Sequence, residues 1–245
     1  MIQKPPDLII FDCDGVLVDS EPLAMRTLIA AVARQGLAID ADHAYREYLG
    51  RSLATISKSL EASHGMALAA EALEAMRGEL YALYRQELRP TPGIAQSLDR
   101  LDVPFCVASS SQPERIRLSL ELTGLIDYFA PNIFSATMVE NGKPAPDLFL
   151  HAAKTMGAVP ARCLVIEDSP AGIAAAKAAD MGVFGFLGGS HAEPAGLRAA
   201  LEALEPDLIF DDMQTLPDLI GSGAGAFSAK ADTTFAVRKR DKTKG

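Results

Sequence analysis

Apolar residues along this chain fall into two patterns. Short, nearly unbroken apolar runs recur near residues 8–11, 105–108, 132–135, 163–166, 183–186 and 208–210. Runs this short and this apolar suit strands buried on both faces. Between them, near 93–101, 113–122, 147–156, 171–179 and 195–203, apolar positions follow helical spacing. The alternation predicts an α/β fold built on a doubly wound parallel sheet. Residues 17–90 break the rhythm, being rich in Ala, Leu, Glu and Arg with no convincing strand. Their apolar residues keep helical spacing, as in Leu23, Leu28, Ile29 and Val32, or Leu73, Met76, Leu80, Leu83 and Tyr84. They predict an inserted helical domain whose stripes form a core, not a cofactor site.

The first strand runs directly into two acids, in Leu8-Ile9-Ile10-Phe11-Asp12-Cys13-Asp14-Gly15. Ligands of open parallel sheets bind beyond the carboxyl ends of the strands, which places Asp12 and Asp14 where chemistry is expected. An acidic pair there repels itself unless a cation or proton intervenes, and Mg²⁺ takes one or two carboxylates together with water and phosphate oxygens. One aspartate could act as a nucleophile, since carboxylates form acyl phosphates. Solvated loop acids capping the next element are the plainer alternative. A second strand, Cys163 to Ile166, also ends in acids, Glu167 and Asp168, before a Ser169-Pro170 helix start. Asn141-Gly142-Lys143-Pro144-Ala145-Pro146-Asp147 offers one lysine on a loop stiffened by two prolines. The strand from Phe105 ends in Ser109, Ser110 and Ser111, whose hydroxyls and backbone N–H groups suit phosphate oxygens.

These four segments resemble the four signature motifs of the haloacid dehalogenase (HAD) superfamily, in its β-phosphoglucomutase-like phosphatase branch. The resemblance covers roughly residues 7–220 and rests on the run from Asp12 through Pro22, on Gly142-Lys143-Pro144 and on Glu167-Asp168-Ser169. It implies a Rossmann-like core of residues 1–16 and 91–221 with an α-helical cap over 17–90. It also implies roles for particular residues. Asp12 would be the nucleophile and Asp14 the general acid and then base, with its backbone carbonyl on the metal. Ser109, with Ser110 beside it, would bind phosphate; Lys143 would steady nucleophile and phosphoryl group; Asp168, helped by Glu167, would complete the Mg²⁺ site. Phosphoryl transfer is mostly a matter of positioning and electrostatic stabilisation, which such a set can supply. Asp14 must be protonated to help an oxygen leave, and a carboxylate neighbour is expected to raise its pKa.

Composition narrows the class further. A chain of 245 residues can bury one sizeable core and a smaller appended domain. No apolar run approaches the roughly 20 residues of a membrane helix. The start, Met1 to Pro6, lacks the apolar region of a secretory signal, so a cytoplasmic location is expected. Cys13, Cys106 and Cys163 show no metal spacing and read as reduced thiols, with Cys13 a spacer between the aspartates. Net charge is −9, yet residues 222–245 carry six Lys or Arg against two Asp, which leaves −13 on the rest. Such a body does not attract nucleic acid. The basic end, after a glycine-rich linker, reads as a mobile tail.

The cap, inserted just after Asp14, is expected to close over the nucleophile and choose the substrate. Arg51, in Gly50-Arg51-Ser52 between two helices, is the expected contact to a second anionic or hydroxyl-rich end. His191 reads as a solvated loop histidine. β-Phosphoglucomutases carry a histidine where Ala24 stands here, and Leu53 stands near the place of their cap arginine; both differences favour hydrolysis. The expected activity is therefore a Mg²⁺-dependent phosphatase acting on a small phosphorylated metabolite through a phospho-aspartate, in a monomer or weak dimer. A sugar-phosphate mutase or a non-catalytic phosphometabolite binder are the alternatives. Haloacid dehalogenation is disfavoured, because those relatives lack the acid that Asp14 provides.

Overall fold

The computed structural model of the chain describes residues 5–49 and 53–221. The strands β1 (Leu8–Phe11), β2 (Phe105–Ser109), β3 (Ile133–Ser135), β4 (Cys163–Glu167), β5 (Gly182–Phe186) and β6 (Leu208–Phe210) form one sheet in the order β3-β2-β1-β4-β5-β6. Every pairing is parallel. The chain therefore builds outward from β1 on one side, then crosses and builds on the other. This makes β1 and β4 the central pair, with a topological switch beside β1. β2 and β4 each run one residue past the expected end, because Ser109 still faces Ser135 and Glu167 still faces Gly185 in the ladder.

Helices cover both faces. They are α1 (Glu21–Arg34), α2 (Ala41–Tyr48), α3 (Leu53–His64), α4 (Ala70–Glu87), α5 (Ile94–Arg100), α6 (Pro113–Leu122), α7 (Ile126–Phe129), α8 (Asp147–Thr155), α9 (Pro170–Ala178), α10 (Leu197–Glu202) and α11 (Leu216–Gly221). Alternate strand residues point to opposite sides. Ile9, Phe11, Val107, Leu164 and Ile166 meet Ile116, Leu120 and Phe129 of α6 and α7 on one face. Leu8, Ile10, Cys106 and Val165 meet Leu148, Phe149, Ile173 and Ala176 of α8 and α9 on the other. Burial on both sides is why the strands read as unbroken apolar runs.

The first four of the five helices between β1 and β2 carry a core of their own, built from Met25, Leu28 and Val32 of α1, Tyr48 of α2, Ile56 and Leu60 of α3, and Met76 of α4. Leu23, Leu80 and Tyr84 instead join the core of the sheet, which seats this helical cap against the strands. The chain enters and leaves the cap side by side. Thr91 N–H donates to Leu17 O at 2.9 Å and Asp19 N–H to Arg89 O at 3.0 Å, with Val18 and Pro90 bridged antiparallel. Among the described residues no helix is long and apolar enough to cross a membrane. The basic tail of residues 222–245 lies outside the described residues.

Candidate active site

A cavity of about 780 Å³ opens between the carboxyl end of the sheet and the cap. Strand β1 aims into it. Asp12 N–H donates to Ile166 O at 3.0 Å, extending the ladder by one residue and fixing where its side chain emerges. Gly15 then turns the chain with φ +81°, and a Cβ there would lie 1.9 Å from Oδ2 of Asp168. Only glycine meets both demands, since that φ strains any L side chain.

Lys143 ties three segments together. Its Nζ donates to Oδ1 of Asp12 at 2.5 Å, to Oε1 of Glu167 at 2.6 Å and to Ala108 O at 3.2 Å. It also lies 4.9 Å from the centre of the Phe149 ring. Burial alone would favour the neutral amine, but the two carboxylates outweigh it and hold the lysine charged. The other oxygen of Glu167, Oε2, accepts from the N–H and hydroxyl of Ser169, both at 2.9 Å. Glu167 was expected beside Asp168 as a metal ligand. Here its two oxygens face Lys143 and the start of α9, which it orients.

Asp12 is pushed well above the usual carboxylate range, by burial and by the charges of Glu167, Asp168 and Asp14, against the pull of Lys143. Asp14 behaves oppositely to expectation. Burial would raise it too, but Arg115 and the hydroxyls of Ser111 and Ser20 bring it below the usual range. Oδ1 accepts from Ser20 Oγ at 2.6 Å and from Arg115 Nη2 at 2.8 Å, and Oδ2 accepts from Ser111 Oγ at 2.6 Å. Ser109, fully buried, accepts the Ser111 N–H on its Oγ at 3.1 Å, so the β2 end is pre-folded into a small turn at the cavity wall. Ser110 lines the same wall. Arg51 lies outside the described residues.

His191 corrects a sequence expectation. It is 0% exposed, with Nε2 lying 2.8 Å from Oδ2 of Asp168. Burial would lower its pKa, but Asp168 raises it on balance. Its loop is pinned back across the entry to the cap, where Ser190 donates from N–H and Oγ to Oδ1 of Asp19 at 3.2 and 2.9 Å. Nothing in the sequence near Gly188-Gly189 marks a histidine as buried; only the packing around Gly15 and Gly189 makes room for it.

Four carboxyl groups, Asp12, Asp14, Glu167 and Asp168, thus gather against two permanent cations, Lys143 and Arg115. The surplus of oxygen donors fits a small, hard divalent cation. Among the described residues no three His, Cys, Asp or Glu side chains converge into a ready-made cluster. A site of two carboxylates completed by main-chain, substrate and water oxygens is what Mg²⁺ accepts.

With this geometry in view, the kinship is decisive. The family model for haloacid dehalogenase-like hydrolases matches residues 6–180. The chain belongs to that family. It is 31% identical over 189 residues to 6-phosphogluconate phosphatase of Escherichia coli, covering 77% of this chain and 86% of that protein. It is 32% identical over 175 residues to hexitol phosphatase A of the same organism, covering 69% and 78%. Among solved structures, a conserved haloacid dehalogenase-like protein of unknown function from Agrobacterium tumefaciens superposes with a TM-score of 0.78 at 36% identity. That match covers 89% of this chain and 99% of the other. This HAD hydrolase is a phosphatase by kinship. Sequence reasoning named its strand-end acids and Lys143; it missed Arg115, Ser20 and Ser111 as partners of Asp14, and His191 as a partner of Asp168.

Proposed function

We propose that the protein is a Mg²⁺-dependent phosphatase for a small sugar phosphate or sugar-acid phosphate, working through a phospho-aspartate. The observation that carries this reading is Asp12, delivered by β1, gripped by Lys143 at 2.5 Å and facing the cavity beside Ser109. An oxygen of Asp12 attacks phosphorus and the bond to the leaving alcohol oxygen breaks. Arg115, Ser111 and Ser20 hold Asp14 ionised before substrate binds, so the proton arrives with a monoanionic phosphate ester and passes through Asp14 to that oxygen. Water then attacks the phosphoryl group, Asp14 takes a proton from it, and inorganic phosphate leaves with Asp12 restored. Lys143 and the β2 turn stabilise charge on the equatorial oxygens. Asp12, Asp168 and the main-chain carbonyl of Asp14 would hold Mg²⁺, which supplies neutralisation of the phosphoryl oxygens when bound.

The cap shields the reacting group from bulk water and confines the substrate to the cavity. The relatives' names, 6-phosphogluconate phosphatase and hexitol phosphatase, support phosphorylated sugars and their derivatives as the class. Ala24 and Leu53 both line the cavity, so the positions where mutases carry a histidine and an arginine present apolar groups to the substrate. Hydrolysis is therefore favoured over phosphoryl return to a sugar.

A phosphate-release screen over sugar phosphates, sugar-acid phosphates, polyol phosphates and phosphoglycolate, with Mg²⁺, tests the reading. Turnover of at least one class is expected, with loss in chelator and recovery on adding Mg²⁺. Asp12→Asn should fold normally and lose about a thousandfold or more, as nucleophile deletions do. An active Asp12→Asn protein would remove the assigned nucleophile, and undiminished turnover in chelator would remove the metal.

A further inference from the structure

Arg115 stands third in α6, in the first turn, where the helix dipole disfavours a cation. Its side chain is only 18% exposed and lines the cavity. Nη2 binds Asp14 at 2.8 Å, and the guanidinium carbon lies 5.5 Å from the centre of the Tyr84 ring on cap helix α4. Nε, however, is buried with no hydrogen-bond partner. A buried donor left unmade is costly, and a cation at the wrong end of a helix adds to that cost. Folding alone does not account for such a group.

The other cations described on the cavity wall are engaged. Lys143 is held by Asp12, Glu167 and Ala108 O, while Arg77 pairs with Glu74 on the cap surface. Arg115 is thus the described cavity-wall cation that is only partly engaged at the junction of core and cap, and the partly exposed face of its guanidinium, not the occluded Nε, is what a ligand can reach. The transferring phosphate is served by Lys143 and the β2 turn, so Arg115 is placed for the remote end of the substrate. Asp14 and the buried Glu21, both on the same wall, oppose a second dianionic phosphate there. A carboxylate brings a single charge and matches the planar edge of a guanidinium.

We propose that Arg115 is a specificity residue that receives a carboxylate at the substrate end remote from the phosphate, making phosphorylated sugar acids the preferred class. The inference rests on the phosphatase reading above and deepens it.

The test uses the full chain with Mg²⁺ and two probes differing at one carbon: 6-phosphogluconate, and glucitol 6-phosphate, which carries CH₂OH in place of the carboxylate. p-Nitrophenyl phosphate serves as a third, generic ester. The wild type should favour the acid over the polyol in kcat/KM. Because Arg115 also holds Asp14, Arg115→Gln should slow every substrate, but the acid should lose a further ten- to a hundredfold, the scale of one charge-assisted hydrogen bond, chiefly in KM. Arg115→Lys, which keeps the charge without the fork, should fall between and covers the case in which the glutamine variant does not fold. A wild type indifferent to the carboxylate overturns the proposal, as does an equal loss on all three substrates in both variants. Turnover of the generic ester alone overturns the carboxylate site while leaving a phosphatase. Release from none of the three, nor from the wider screen, overturns the phosphatase reading and this inference together.

Discussion

Lys143 shows how much one side chain can hold. It neutralises Asp12 and Glu167, whose carboxylates are both buried and converge on its Nζ. Lys143→Met would leave two buried acids facing each other without a counter-charge, and breaking a buried pair in this way costs about 3–5 kcal/mol. The loss should be read as a lower urea midpoint with an unchanged slope. It should be larger at pH 8 than at pH 5, because the abandoned acids can take up protons at the lower pH. Activity should vanish with it. An unaltered midpoint at pH 8 would mean that Asp12 and Glu167 relax to water, and would weaken the picture of a pre-organised nucleophile. His191 was misread at this same scale. A histidine in a glycine-serine loop looks solvated, and its burial depends on Gly15 and Gly189, the former of which is 176 positions upstream.

Among the elements, α9 couples packing to chemistry most directly. Ser169 caps it by accepting the Gly172 N–H at 3.0 Å while donating to Glu167, and Pro170 takes the first helical position. Gly172 is required by this arrangement, since a Cβ there would lie 1.8 Å from Glu167 Oε1. Ser169→Ala should therefore remove a cap and a carboxylate partner at once, for a destabilisation of about 1–2 kcal/mol by thermal or urea unfolding. A drop in turnover should accompany it, as Glu167 loosens its hold on Lys143. Stability loss with wholly unchanged turnover would show that the Lys143 loop positions itself. The cap signature and the acids before it are local, so this element was legible in the sequence. The helix containing Arg115 was legible too, but not the direction of its third residue, which is set by an aspartate 101 positions away.

For the molecule as a whole, closing the cap over the sheet buries more acid than the fold would need for stability alone. Glu21, first in α1 and 5% exposed, is pushed up to about 7 by burial and by Asp14, against His191 and Arg115. Its folded pKa lies above its ordinary value, so between about pH 4.5 and about 7 the unfolded chain sheds a proton that the folded chain keeps. Stability attributable to Glu21 is then lost as pH rises through that window, on the order of 3 kcal/mol in all. Glu21→Gln should gain on the wild type progressively from pH 4.5 to 7 in paired urea titrations. A difference constant across that range would mean that Glu21 reaches solvent. The sequence by itself determined the sheet, the helical insert and the strand-end acids. Strands buried on both faces must be apolar throughout, helices must repeat every 3.6 residues, and a carboxylate at a central strand end has one direction to point. Only the tertiary structure decided which acid is paired with which cation. It set Lys143 on Asp12, Arg115 on Asp14 and His191 beside Asp168, because burial and charge pairing are made by segments that meet across the cavity and are far apart along the chain.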